Sequence, residues 1–256
     1  MFLQTALIPM TKNNLAKILL VFFTGLMLSA CASSTNSNDT MYDPLESSNR
    51  TVFAFNKAVD KAVINPVIKG YRIAVPKPAR TGVRNVLRNL KSPVTLANEV
   101  LQGDIDGAGK VVLRAVVNTL VGAGGLFDVA GAEGYEYEQE DFGQTLAVWG
   151  VGHGPYLVVP IIGPSSARDY AGYFVDSFAD PLRWYLFGHG DAEGWYYAKV
   201  GVEYLDLRES LMDVLNELER SSIDYYAAVR STYYQRRDAL VRDDAATASG
   251  EGADHP

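Results

Sequence analysis

The chain has 256 residues, 23 of them basic and 30 acidic, and a single cysteine. Its formal charge of −7 argues against nucleic acid as a partner, because phosphate backbones are bound by basic surfaces. One cysteine excludes an internal disulfide framework, and a hydrophobic fraction of 48% is that of a folded protein.

The N-terminus reads as a secretory signal. Lys12 and Lys17 form a positive n-region, Ile18 to Leu28 an apolar h-region, and Leu28-Ser29-Ala30 a run of small residues before Cys31. Residues 1–9 add nothing to that pattern, so Met10 is a second candidate start. The h-region has 11 residues, against about 20 for a helix that spans a bilayer. Leu28-Ser29-Ala30-Cys31 resembles the lipobox of bacterial lipoproteins, which makes Cys31 the expected lipidation site. Two or more acyl chains on such a cysteine anchor a protein stably. Ala32 stands where sorting to the inner membrane would call for Asp, a pattern similar to that of outer-membrane lipoproteins. Loss of residues 1–30 leaves 226 residues with a formal charge of −9. Residues 31–42, rich in Ser, Thr and Asn, are expected to be a flexible tether, 43–241 a folded domain, and 242–256 a disordered tail.

Within the domain, helical signals dominate. Asp43-Pro44-Leu45-Glu46 predicts a capped start with proline at the first helical position, and a helix through Phe53 to about Lys61. Residues 79–91 predict a second helix, with Val83, Val86, Leu87 and Leu90 on one face. Pro93 is expected to restart the chain into a third, ending near Gly103. Residues 105–121 predict a fourth. Tyr156-Leu157-Val158-Val159 is the best strand, limited by Pro160. Leu207, Leu211, Val214, Leu215 and Leu218 mark a helix whose other side carries Glu209, Asp213 and Glu217. Residues 222–241, rich in Tyr and Arg, predict the last helix.

One segment departs from an ordinary core helix. Lys110, Arg114 and Asn118 recur every four residues, and each step of four turns the helix by only about 40°, so they share one stripe on an otherwise apolar helix. From Lys110 to Val121 that helix is about 18 Å long, too short to cross a hydrocarbon core of about 30 Å. It suits either a buried helix of a soluble domain with its stripe at the surface, or a helix lying in one leaflet with the stripe turned to water or a headgroup. Gly122, Gly124 and Gly125 follow. They read as a C-cap and tight turn, or as a hinge.

Catalytic and metal chemistry is missing from the pattern. His153, His189 and His255 have no second ligand at zinc spacing. Gly163-Pro164-Ser165-Ser166-Ala167 lacks the last glycine of GxSxG, and a triad of Ser165 or Ser166 with His153 and Asp169 has no strand-to-helix elbow to support it. The chain is therefore expected to be a non-enzyme without cofactor or metal.

Several blocks, in order, resemble the MlaA/VacJ family of outer-membrane lipoproteins. They are Asp43-Pro44-Leu45-Glu46 with Asn49-Arg50 and Phe53-x-Phe55-Asn56; Val75-Pro76-x-Pro78-Ala79-Arg80; Leu101-Gln102-Gly103-Asp104; and Asn118-Thr119-x-x-Gly122-x-Gly124-Gly125-x-x-Asp128-Val129-Ala130. Asp141-Phe142-Gly143-Gln144-Thr145-Leu146, Trp149-Gly150-Val151-Gly152-x-Gly154-Pro155-Tyr156 and Arg168-Asp169 continue it. The chain departs from the pattern at Ser47-Ser48 and His153. The resemblance implies a mainly α fold, a ring of amphipathic helices partly embedded in the inner leaflet of the outer membrane around a central amphipathic channel. It implies phospholipid as the transported ligand, removed from the outer leaflet and passed to a soluble periplasmic carrier, with a trimeric porin as partner. In that frame Lys110, Arg114 and Asn118 would line the channel, and Gly122, Gly124 and Gly125 would shape its mouth or hinge. A porin-associated scaffold and a lipid-degrading serine hydrolase are the alternatives.

Overall fold

Helix α1 (Glu46–Val59) runs through a widened π-helical turn (Asp60–Ile64) into α2 (Asn65–Ala74). The computed structural model from which these elements are taken describes residues 42–242. The expected signal, Cys31, almost all of the tether and the tail beyond Arg242 lie outside the described residues. The widened turn falls just before Pro66, whose missing N–H would leave a regular helix one bond short there. Asp43 does not cap α1, which starts after Leu45 without a side-chain cap. Its carboxylate is engaged elsewhere, accepting from Asn49 Nδ2 at 2.8 Å, Arg230 Nη1 at 2.7 Å and the Tyr226 hydroxyl.

Helix α3 (Lys77–Gln102) is continuous through Pro93. The expected break is therefore absent. One lost hydrogen bond is small beside the packing of α3 on α4 (Ile105–Leu120), α6 (Phe142–Val148), α8 (Pro181–Phe187) and α9 (Glu193–Ser221). Gly103 ends α3 in the left-handed conformation at φ 83°, and the next residue, Asp104, caps α4 by accepting from Gly107 N at 2.9 Å. That two-residue connection makes α3 and α4 an antiparallel hairpin. Asp128 caps the short α5 (Val129–Ala132) and Asp141 caps α6.

Strand β1 (Tyr156–Val159) pairs antiparallel with β2 (Gly163–Ser166), Tyr156 opposite Ser166 and Val159 opposite Gly163. Two asparagines of α1, two turns apart, cover the free edge of β1. Asn49 accepts from Val158 N at 2.9 Å and donates to Tyr156 O at 2.9 Å; Asn56 accepts from Ile161 N at 2.7 Å and donates to Val159 O at 2.9 Å. Each amide thus pairs as a neighbouring strand would. Ser166 caps α7 (Ala167–Ala179), Asp180 caps α8, and Asp224 caps α10 (Tyr225–Val241).

The helices close on themselves. Helix α3 contacts α6 and α9, and α10 contacts the same two, so α3, α6, α10 and α9 form a circuit. The mainly α ring expected from the family resemblance is present. A tyrosine cluster of Tyr156, Val158, Tyr226 and Tyr234, with Phe53 and Tyr233 against it, fixes α10 to the strand β1 and to α1. No helix among the described residues is long and apolar enough to cross a membrane.

Candidate functional site

The polar stripe of α4 faces inward, against the chain from 128 to 138. Arg114 is 7% exposed; it pairs with Asp128 at 2.9 Å and donates to the Tyr135 carbonyl. Asn118 is 6% exposed, donating to Asp128 Oδ1 at 2.9 Å and accepting from Ala130 N at 3.0 Å. Burial opposes the charge on Asp128, but the Arg114, Gly131 and Asn118 donors outweigh it and hold its pKa below the usual carboxylate value. Lys110, more open, meets Glu138 at 2.9 Å. Val112, Val116 and Leu120 stand two residues on from the stripe, about 200° around the helix, and are exposed. Helix α4 therefore buries Arg114 and Asn118 while it leaves Val112, Val116 and Leu120 exposed, an inversion of what a surface helix in water shows at those positions.

The glycine segment after α4 is closely packed. Ala123, Gly124 and Gly125 all have positive φ (53°, 73° and 91°), and Gly125 N donates to Asn118 O at 2.8 Å. A Cβ on Gly122 would stand 2.2 Å from Phe127 O.

A second buried network joins α6, α7 and α10. Arg237 forks onto Asp141 at 2.6 and 2.8 Å and reaches Asp169 at 3.1 Å, while Asp169 also takes Arg168 at 2.8 Å and the Tyr233 hydroxyl. Burial would raise Asp141, but the Arg237 guanidinium holds its pKa down at about 2. Nearby, Asp176 accepts from Asn98 at 2.9 Å and from Phe142 N at 3.0 Å, and burial still raises its pKa.

A third network corrects the sequence reading. Glu209 was expected on the outer side of α9, yet it is buried, 2.9 Å from Arg72, 2.7 Å from Arg80 and 3.1 Å from Arg84. Arg80 and Arg84, one turn apart on α3, were the available sequence signal for a carboxylate opposite them.

The candidate nucleophiles form no catalytic pair. Ser166 is fully buried, its hydroxyl accepting from Asp169 N at 3.1 Å as a helix cap, and Ser165 Oγ meets Ser166 O at 3.3 Å. His153 is bonded to Asp238 at 2.8 Å, and His189 to the Tyr185 carbonyl at 2.6 Å. No group of three or more metal-ligating side chains is arranged for an ion among the described residues.

Residues 41–240 match the family profile described as MlaA lipoprotein. The chain belongs to the MlaA lipoprotein family. It is 36% identical over 219 residues to the intermembrane phospholipid transport system lipoprotein MlaA of Escherichia coli (strain K12), covering 84% of each chain. The protein of the same description from Haemophilus influenzae is 34% identical over 234 residues, covering 88% of this chain and 90% of that one. An uncharacterized protein of Rickettsia bellii is 37% identical over 212 residues, 82% of this chain and 81% of its own. The fold matches a solved structure described as "Structural basis for maintenance of bacterial outer membrane lipid asymmetry" with a TM-score of 0.67 and 38% identity, over 78% of this chain and 98% of that one. The MlaA lipoproteins it matches are named for transport rather than for a reaction.

Proposed function

We propose that this MlaA-family chain is a lipid-anchored protein of the outer membrane, on its periplasmic side, that removes stray phospholipid from the outer leaflet and hands it to a soluble periplasmic carrier. A trimeric porin holds it in place, Cys31 carries the anchor, and no reaction is catalysed. The observation that supports this reading is an inverted distribution of polarity. Among the described residues, polar and charged side chains are as numerous in the buried set as hydrophobic ones, while Ile73, Ile105, Leu120, Trp184 and Trp195 are each more than half exposed. In water such an exterior is a liability; against acyl chains it is a matched surface, and the polar interior then suits a headgroup.

Deleting the gene in the source bacterium should raise phospholipid at the cell surface, read as hydrolysis by externally added phospholipase, and sensitise cells to detergent plus EDTA. The wild-type gene should restore both. Unchanged surface phospholipid in the deletion would sink the transport reading. A pure porin scaffold would carry no co-purifying phospholipid; a transporter would.

A further inference from the structure

The stripe on α4 carries cations that are already paired. One helix away lie two that are not. Arg88 and Lys91 stand one turn apart on α3, both half-buried, and among the described residues neither is bonded to a carboxylate. Their neighbours on the same helix, Arg80 and Arg84, are both bound to Glu209. Tyr137, in the irregular segment before α6, lies beside both Arg88 and Arg114: its ring centroid is 4.5 Å from the Arg88 guanidinium and 5.8 Å from that of Arg114. Lys91 lies within electrostatic reach of Tyr137, Asp141, Asp176 and Glu203, which belong to that segment, the α6 cap, α7 and α9. Burial disfavours its charge, but these groups outweigh that and keep its pKa above the ordinary lysine value. It is a persistent cation that makes no ion pair among the described residues.

The space beside Tyr137 has both polar and apolar walls. Two adjoining narrow clefts, partly open to solvent, share Ser92, Arg114 and Tyr137 as walls. Thr95 lines the first; it is 1% exposed and its hydroxyl has no partner. A buried hydroxyl without a partner costs free energy that a ligand oxygen would recover. Arg114 itself is engaged by Asp128 and Glu138 by Lys110; of the other charged walls, Glu136 is exposed and lines the first cleft, while Arg88 is half-buried and lines the second.

We infer that Arg88 and Lys91, with the Ser92 and Thr95 hydroxyls beside them and Tyr137 as the movable wall, form a binding site for the phosphate of a phospholipid headgroup. This rests on the phospholipid reading above. Side chains one turn apart hold their Cβ atoms about 5–6 Å from each other, close enough for two cations to share one phosphate. The guanidinium supplies a planar fork and the ammonium a point charge, the pairing that phosphate oxygens accept best.

The test uses the full lipidated protein in phosphate-free detergent solution and three probes: dihexanoyl phosphatidylglycerol, dihexanoylglycerol and inorganic phosphate. Calorimetry should show the phospholipid bound about tenfold or more tighter than the phosphate-free lipid. The Arg88→Gln/Lys91→Gln variant should erase that margin, and the exchange Arg88→Lys/Lys91→Arg should restore most of it. Lys69→Gln, which removes one positive charge at an exposed position on α2, should leave the margin intact. If circular dichroism shows the double variant unfolded, each single Gln variant carries the test and should lose part of the margin. A double variant that binds phospholipid like wild type overturns the site, while the transport reading still stands or falls on the surface-phospholipid assay. Inorganic phosphate binding as tightly as the phospholipid overturns the headgroup assignment and makes this a site for free phosphate.

Discussion

Without its guanidinium partner, the Asp128 carboxylate would keep only Asn118 and the Gly131 amide as donors in a half-buried setting. Arg114→Ala should therefore cost about 3 kcal/mol of stability, measured by denaturant unfolding, and an unchanged midpoint would show that the pair contributes nothing. Asp141 makes a prediction in pH. Its folded pKa of about 2 lies below the ordinary 3.8, so its stabilisation is complete above 3.8 and is lost as pH falls toward 2. Asp141→Asn should be less stable than wild type at neutral pH, with the gap closing across that window. A gap of constant size would rule out ionisation of Asp141 as the cause. At this scale the sequence showed which side chains share a face, because that follows from helical periodicity alone. The stripe of Lys110, Arg114 and Asn118 was visible for that reason. Its partners Glu138, Asp128 and the Tyr135 carbonyl were not, since they come from a segment with no periodicity to read. Arg88 and Lys91 escaped notice altogether: nothing local distinguishes an unpaired cation from a solvated one.

Helix ends show where local chemistry suffices. Gly103 and Asp104 end one helix and start the next as their residue types require, and Tyr156–Val159 is the strand its β-branched run indicates. Asp43 and Pro93 show where it fails. Each carries a strong local signal, overruled by contacts from far along the chain, Arg230 and Tyr226 for the first and the neighbouring helices for the second. Asp43→Ala should accordingly lower stability by about 3 kcal/mol through loss of a buried ion pair, while Pro44→Ala should change it little. Equal effects would restore the capping role. Gly122→Ala sets a methyl 2.2 Å from the Phe127 carbonyl and should destabilise the turn by about 1–3 kcal/mol. Gly109→Ala, mid-helix with open space around it, should raise the thermal midpoint, by about 0.5–1 kcal/mol of stability. If the two glycine variants behave alike, the packed-turn description is wrong.

For the molecule as a whole, the sequence supplied helices but no ring. Closure depends on α9 and α10 meeting α3 and α6, and no periodicity encodes that; the ring came from family resemblance. Likewise the outward aliphatic and aromatic surface becomes evident only when helices are placed. That surface predicts the behaviour of the domain without its anchor. A mature Cys31→Ser chain, secreted by an unrelated signal, should still sediment in part with phospholipid vesicles. Complete recovery as a free monomer in the supernatant would contradict a bilayer-facing exterior.

A closed circuit also has an order in time. The two helices that shut it are made after the others they meet, and the surfaces they join lie roughly 80 residues or more earlier in the chain. Contacts that distant form slowly, and an open intermediate with its aliphatic faces bare is prone to aggregate. Until α9 and α10 arrive, the nascent domain has an inside with charges and no wall to finish it. Chains stopped before Glu193 should stay in that state, protease-sensitive and bound to holding chaperones, however sound their first helices are.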